Sequence, residues 1–326
     1  MAQQHILVLA TGGTIVGTAG SATRRDYRPG QIGIEDFLRE VAKLNLPGRL
    51  SGRQLANIGS EDIGPELWRT LHQAVLDGMD DPDCAGIIIT HGTDTAEETA
   101  FLLDLTLPSA KPVVLVGAMR PADAVGSDGL RNFANGVRVA GDSEAAGRGV
   151  VLVMSDRVFA ARDARKAVTS GTDSFRGFPR GAIGHVTPTS LEWFGPPWRV
   201  GERARYTLTD TMPRVPILHA YAGMPVSDIT SALAGEAQGI VLAGFGEGNA
   251  PRAIRDALAE AAKRGVLVVR SSRVDEGLVD REPEDDAAGF VAARALGPAK
   301  ARILAQVCLA NGISDPVRVQ DEFGRR

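Results

Sequence analysis

Four blocks of this chain bring together small hydroxyl residues, charge and glycine in ways that suit chemistry. Thr11-Gly12-Gly13-Thr14 lies near the start, and Asn57-Ile58-Gly59-Ser60 leads into Glu61-Asp62. Thr90-His91-Gly92-Thr93-Asp94-Thr95 follows, and Ala161-Arg162-Asp163-Ala164-Arg165-Lys166 comes later. A threonine hydroxyl is a poor nucleophile at neutral pH and needs a base to take its proton. A lysine screened from water can act as that base, and a carboxylate beside it can orient it or bind a substrate ammonium. Thr14, Thr93, Asp94 and Lys166 therefore make a chemically coherent set. Backbone amides over 92–94 could stabilise a tetrahedral oxyanion. Taken singly, each block is more often plain polarity than catalysis, and Lys166 alone reads as a solvated charge.

Other chemistries find less support. The chain contains no Gly-x-Ser-x-Gly elbow. Its five histidines, His5, His72, His91, His185 and His219, show no His-Glu-x-x-His and no paired metal-ligand spacing, so no metal is expected. The Gly12-Gly13 turn resembles a dinucleotide loop only loosely. Its next glycine is Gly17, which does not complete Gly-x-Gly-x-x-Gly, so no cofactor is expected. Cys84 and Cys308 cannot form a disulfide framework, and Cys308 lies in an apolar helical run.

Position raises the odds that the four blocks act together. Uninterrupted apolar runs precede them: Ile6-Leu7-Val8-Leu9-Ala10 before Thr11, and Gly86-Ile87-Ile88-Ile89 before Thr90. Further runs are Pro112-Val113-Val114-Leu115-Val116 before Gly117, and Val150-Val151-Leu152-Val153-Met154 before Ser155. Such runs mark strands buried on both faces, and helical patterns over 65–77, 95–105 and 130–140 lie between them. The fold expected is α/β, a larger N-terminal, mostly parallel sheet domain flanked by helices, with a smaller C-terminal α/β domain. A short strand over 55–58 is expected to end at Gly59-Ser60. The carboxyl ends of parallel strands are where open α/β sheets hold ligands, and the blocks share that edge. Thr95 and Glu98 have capping-box spacing, which starts a helix just after the His91 loop. The 18–31 stretch lacks apolar periodicity and reads as a mobile loop or lid carrying Tyr27. Trp193, Pro196, Pro197, Trp198 and Pro213 break the pattern, so the expected domains are 1–192 and 216–326, joined by a linker over 193–215. Beyond it, strands are expected over 216–220, 239–244 and 265–270, with helices over 251–264, 298–311 and about 316–323.

Composition narrows the class of function. The chain has 326 residues, 44% hydrophobic content and a formal charge of −4, the profile of a globular protein and not of one built to grip nucleic acid or an anionic membrane. No apolar stretch approaches the ~20 residues that span a bilayer. The Met1-Ala2-Gln3-Gln4-His5 start shows no signal peptide, so a cytoplasmic protein is expected, although a trimmed leader would look the same.

The blocks, with Val116-Gly117-Ala118-Met119-Arg120-Pro121, Arg162-Asp163, Lys166 and Gly246-Glu247-Gly248-Asn249, resemble the signature blocks of bacterial-type L-asparaginases and glutaminase-asparaginases. The similarity runs in order along nearly the whole chain. It implies hydrolysis of the L-asparagine side-chain amide, and potentially that of L-glutamine, through a threonine acyl-enzyme. Thr14 would be the nucleophile with Tyr27 beside it, and Thr93, Asp94 and Lys166 the supporting triad. Ser60, Glu61, Thr93 and Asp94 would hold the substrate. The resemblance also implies a homotetramer built as a dimer of tight dimers, with Asn249 and an acid reaching in from a neighbouring subunit. Counting back from Gly289-Phe290 selects Glu282 as that acid, whereas anchoring on Asp285-Asp286 favours Glu284, which is preferred here. Glu61 stands where many members have Gln, and Glu occurs in members with glutaminase activity, so substrate breadth stays open. The rival within the enzyme class is a related amidotransferase that feeds ammonia to a tRNA-linked reaction. The rival outside it is an amino-acid-binding α/β protein that does not hydrolyse its ligand.

Overall fold

The computed structural model describes residues 4–19, 30–199 and 204–325. It divides into two compact units, residues 1–205 and 206–326. In the first unit, β1 (His5–Gly12), β2 (Arg49–Ile58), β3 (Cys84–Thr90), β4 (Val113–Val116) and β5 (Val150–Met154) pair in parallel in the spatial order 2-1-3-4-5. Helices α1 (Ile34–Ala42), α2 (Pro65–Asp80), α3 (Ala96–Thr106) and α4 (Gly129–Ala140) cover both faces of this sheet. The double covering explains the unbroken apolar runs. Ile88 packs with Phe37 and Val41 of α1 and Phe133 and Val137 of α4, while Ile87 and Ile89 pack with Leu71 and Val75 of α2 and Ala100 and Leu103 of α3. A strand with a core on each face has no polar side to alternate with.

The sheet continues beyond β5 in a way the sequence pattern did not foresee. Strands β6 (Arg157–Ala160), β9 (Gly184–Val186) and β10 (Leu191–Trp193) extend it antiparallel to eight strands. β7 (Ala164–Lys166) and β8 (Phe175–Gly177) form a separate antiparallel ribbon. The β5–β6 turn is made by Ser155 (φ 51°) and Asp156 (φ 65°), both left-handed. That is the backbone of a tight hairpin, but Ser-Asp lacks the glycine that usually announces one. β2 is also longer than the expected 55–58. Its exposed edge position lets Arg49, Arg53 and Gln54 sit in a strand, which blurs the apolar signal.

The second unit holds β11 (Ile217–His219), β12 (Gly239–Gly244), β13 (Leu267–Ser272) and β14 (Phe290–Ala292), all parallel and in sequence order across the sheet. Its helices are α5 (Ser227–Ala234), α6 (Arg252–Lys263), α7 (Pro283–Ala288), α8 (Pro298–Ala310) and α9 (Pro316–Gly324). The expected longer elements are present; α5, α7 and β14 are additional, each of eight residues or fewer. Cys84 and Cys308 are buried free thiols, and burial raises both, Cys308 up to about 12, which disfavours the reactive thiolate. Among the described residues, no helix is long and apolar enough to cross a membrane.

Candidate active site

The order 2-1-3-4-5 reverses direction between β1 and β3, because the chain leaves β1 toward β2 on one side and β3 toward β4 on the other. Loops at such a reversal diverge and leave a crevice at the carboxyl ends of the strands. Thr14 opens a short 3-10 turn (Thr14–Val16) directly after β1, and Thr93 lies in the loop after β3. The glycines between them act through close approach. A Cβ on Gly13 (φ 83°) would lie 2.4 Å from the Gly92 nitrogen, one on Gly12 (φ 112°) would lie 2.5 Å from the Ile58 nitrogen, and one on Gly92 would lie 2.7 Å from Ser60 Oγ. The ends of β1 and β2, and the loops after β1 and β3, therefore meet backbone to backbone at Gly12 and Gly13, while Gly92 leaves room for the Ser60 side chain. Thr11 Oγ1 adds a hydrogen bond to the Thr90 carbonyl at 2.9 Å, which ties the ends of β1 and β3.

Within this crevice the structure brings three of the expected residues into direct contact. Lys166 Nζ donates to Thr93 Oγ1 at 2.9 Å and to Asp94 Oδ1 at 2.5 Å. Lys166 is 17% exposed along its side chain and Asp94 is 59% exposed, so the contact spans from a screened interior to the open crevice. Thr93 is buried, as are Thr14 and Ser60. Lys166 reaches the site from β7, outside the parallel core, and this ribbon was not expected. Ser60 Oγ accepts from the Asp94 amide at 3.2 Å, which joins the β2 loop to the Thr93 loop. Thr95 does precede α3, but the expected capping box does not form. Its hydroxyl donates instead to the Ser60 carbonyl at 2.8 Å, so the residue that would cap the helix fastens the neighbouring loop. Glu61 is exposed, and its carboxylate folds back over Gly59, where a Cβ would meet Oε1 at 2.4 Å. Tyr27 lies outside the described residues.

Sequence reasoning missed the residues that hold the β4 loop against Thr93. Asp128 accepts from the Met119 and Arg120 amides at 3.1 and 3.0 Å, and Asn132 donates to the Gly117 carbonyl at 3.0 Å. A Cβ on Gly117 would stand 3.0 Å from Thr93 Cγ2. The only signal available was a polar pair spaced i, i+4 at the start of a helix, which also suits an exposed face. Among the described residues, no group of three or more His, Cys, Asp or Glu side chains is placed to hold a metal ion.

In the second unit, Asn249 is exposed on a tight turn after β12, closed by reciprocal backbone hydrogen bonds with Phe245 at 2.7 Å. Glu282 precedes α7 with a carboxylate oxygen 3.7 Å from Arg270, and Glu284 is exposed in the helix's first turn. The buried Arg270 organises both segments. It donates to the Glu247 carbonyl, the Asp280 carbonyl and the Asp285 carboxylate, each at 2.6 Å. The sequence signal for this hub is an arginine closing the apolar run Leu267-Val268-Val269.

Comparison with known proteins agrees along the chain. Residues 5–199 match the family described as Asparaginase, N-terminal, and residues 214–323 match the Glutaminase/Asparaginase C-terminal domain. A probable periplasmic L-asparaginase of Haemophilus influenzae is 40% identical, covering 98% of this chain and 92% of that protein. L-asparaginase 2 of Escherichia coli is also 40% identical, covering 100% and 94%. A glutaminase-asparaginase of Pseudomonas fluorescens is 36% identical, covering 94% and 86%. The crystal structure of a probable cytoplasmic L-asparaginase from Campylobacter jejuni superposes with a TM-score of 0.93 at 34% identity, covering 99% of this chain and 100% of that one.

Proposed function

The chain belongs to the bacterial-type L-asparaginase family, and we propose how its residues carry the hydrolysis of the L-asparagine side-chain amide to L-aspartate and ammonia. Thr14 Oγ attacks the amide carbon, its hydroxyl proton passes to the amide nitrogen, and a tetrahedral intermediate forms with charge on the former carbonyl oxygen. The C–N bond breaks, the amide nitrogen leaves with a proton as ammonia, and the aspartyl group remains esterified to Thr14. Water then attacks the ester, one of its protons passing by way of Thr93 Oγ1 to Thr14 Oγ as that C–O bond breaks, and aspartate leaves with the Thr14 hydroxyl restored. Lys166 Nζ, donating to Thr93 Oγ1 at 2.9 Å, stabilises the negative charge that builds on that oxygen as a proton passes through it, and Asp94 at 2.5 Å keeps the lysine aimed. Amides of the Thr93 loop, ahead of α3, are the donors for the oxyanion.

The observation that supports this assignment is the Thr93–Lys166–Asp94 contact set, placed against the Thr14 turn by the close approach of Gly13 to Gly92. Ser60, Glu61, Thr93 and Asp94 hold the substrate's α-carboxylate and α-ammonium in this proposal, with Tyr27 beside Thr14. The same proposal has a homotetramer, a dimer of tight dimers, in which Asn249 and either Glu282 or Glu284 come from a neighbouring subunit. Glu282→Gln and Glu284→Gln, compared on KM, separate the two acids. Cytoplasmic residence belongs to the proposal as well; the names of relatives point both ways, and cell fractionation decides. Ammonia release from L-asparagine and L-glutamine by the purified protein, with Thr14→Ala and Lys166→Met alongside, tests the chemistry. Turnover of L-asparagine lost in both variants is the expected result. A wild type that binds the amino acid without releasing ammonia, or a fully active Thr14→Ala, contradicts the assignment.

A further inference from the structure

Trp68 on α2, Thr99 on α3 and His91 at the end of β3 are all buried, and hydrogen bonds join them in a row behind the Thr93 loop. Trp68 Nε1 donates to Thr99 Oγ1 at 2.9 Å, Thr99 Oγ1 lies 3.0 Å from His91 Nε2, and His91 Nδ1 lies 2.7 Å from the Gly92 carbonyl oxygen. Chemistry alone assigns the protons. An indole N–H only donates, so Thr99 Oγ1 accepts from Trp68 and keeps both its own proton and a second lone pair with which to meet His91 Nε2. A carbonyl only accepts, so His91 Nδ1 must carry the ring proton. In the neutral ring Nε2 then has no proton and accepts the hydroxyl proton of Thr99. Burial pushes His91 down to about 4, which keeps the ring neutral through the physiological range.

The Gly92 carbonyl shares a peptide plane with the Thr93 N–H, and in a trans peptide the two point in opposite directions. Drawing the carbonyl to the ring turns the Thr93 N–H away from it, and no described residue accepts that N–H. From this geometry we infer that His91, backed by Thr99 and Trp68, is a positioning residue that fixes the peptide between Gly92 and Thr93 and thereby aims the Thr93 N–H at the oxyanion. The inference rests on the Thr93 loop being the catalytic loop. It accounts for a buried histidine that opens this loop yet touches neither Lys166 nor Asp94. Thr93 Oγ1 and the Thr93 N–H belong to one residue, so a rotated peptide misplaces the donor and the hydroxyl together.

Three variants of the full-length protein and one measurement on the wild type test this. His91→Leu removes the Nδ1 donor, His91→Asn keeps an N–H near the same place, and Thr99→Val removes the hydroxyl that holds Nε2. In His91→Leu, kcat for L-asparagine falls about 10- to 100-fold while KM moves by less than about threefold. His91→Asn recovers most of the loss, and Thr99→Val falls between. Nitrogen NMR of the imidazole-labelled wild type at about neutral pH shows a neutral Nδ1–H ring for His91, a readout that requires no variant to fold. An Nε2–H tautomer or an imidazolium at that pH overturns the inference, and so does a folded His91→Leu with wild-type kcat. If that result comes with an inactive Thr14→Ala, only the role of His91 fails. If Thr14→Ala is also fully active, the assignment of the catalytic loop fails instead.

Discussion

Gly13→Ala separates the two halves of the site without altering any reacting group. The new Cβ would lie 2.4 Å from the Gly92 nitrogen and 2.6 Å from its Cα, both backbone atoms that no side-chain rotation can move. An ordinary contact needs about 3.5 Å, so the Thr14 turn and the Thr93 loop must part by about 1 Å. A displacement of that size costs roughly 100-fold in rate when it separates groups that must react together. The left-handed φ of 83° adds strain for a residue with a Cβ, and overpacking in this range costs about 1–3 kcal/mol of stability. For a unit of this size, that lowers Tm by roughly 2–10 °C. Gly33→Ala is the control, since its Cβ would meet nothing within 4 Å and its φ is −68°. Steady-state ammonia release gives kcat and KM for both variants, and calorimetry gives their melting temperatures. Gly13→Ala should lose about two orders of magnitude in kcat, and Gly33→Ala should resemble the wild type. A folded Gly13→Ala with kcat within about twofold of the wild type would refute the argument that this contact sets the geometry of the site.

Other perturbations address separate parts of the account. Ser60→Ala leaves the Asp94 amide without its 3.2 Å acceptor, and the loss of one such hydrogen bond should raise KM about tenfold with a smaller effect on kcat. Arg270→Met strands the buried Asp285 carboxylate and should cost about 3–5 kcal/mol by denaturant unfolding. Adding Asp285→Leu should recover part of that loss; no recovery would mean that the arginine acts mainly through the Glu247 and Asp280 carbonyls. His91 is held near 4 in the folded protein against an ordinary 6.5, so between these values the unfolded chain takes up a proton that the folded one refuses. Stability should therefore fall as pH drops through that window, by roughly 3 kcal/mol in full, with His72 adding in the same direction because burial lowers it too. Urea unfolding at pH 7 and pH 5 should show a shallower dependence in His91→Asn than in the wild type, and equal slopes would rule out His91 as the source.

Much of the site could be read from the chain because its chemistry sits in contiguous blocks at the ends of buried strands. Ile87-Ile88-Ile89 marks a strand with a core on each face, and the hydroxyl and charged residues after it can only lie at its end. The two-domain α/β architecture followed from the same pattern. What escaped prediction lacks a local signature. Lys166 itself was legible, but the ribbon strand that carries it has three residues, too few for any periodicity to show. Ser155-Asp156 turns a hairpin through left-handed conformations without glycine. Thr95 looks like a helix cap from its spacing to Glu98, yet its hydroxyl is drawn to the Ser60 carbonyl, a partner 35 positions earlier. Asp128, Asn132, His91 and Arg270 act by holding backbone in place, and a polar residue gives no sign in sequence of which distant carbonyl or amide it will hold.

The central claim is that the Thr14 hydroxyl carries the acyl group while the Thr93–Lys166–Asp94 set assists. Rapid acid quenching of the wild-type enzyme during turnover of L-asparagine, followed by peptide mapping with mass spectrometry, reads this directly. The account predicts an aspartyl ester on Thr14 that appears with the first release of ammonia and is absent from Thr14→Ala. An ester on Thr93, or ammonia and aspartate released in step with no adduct on either threonine, would contradict it.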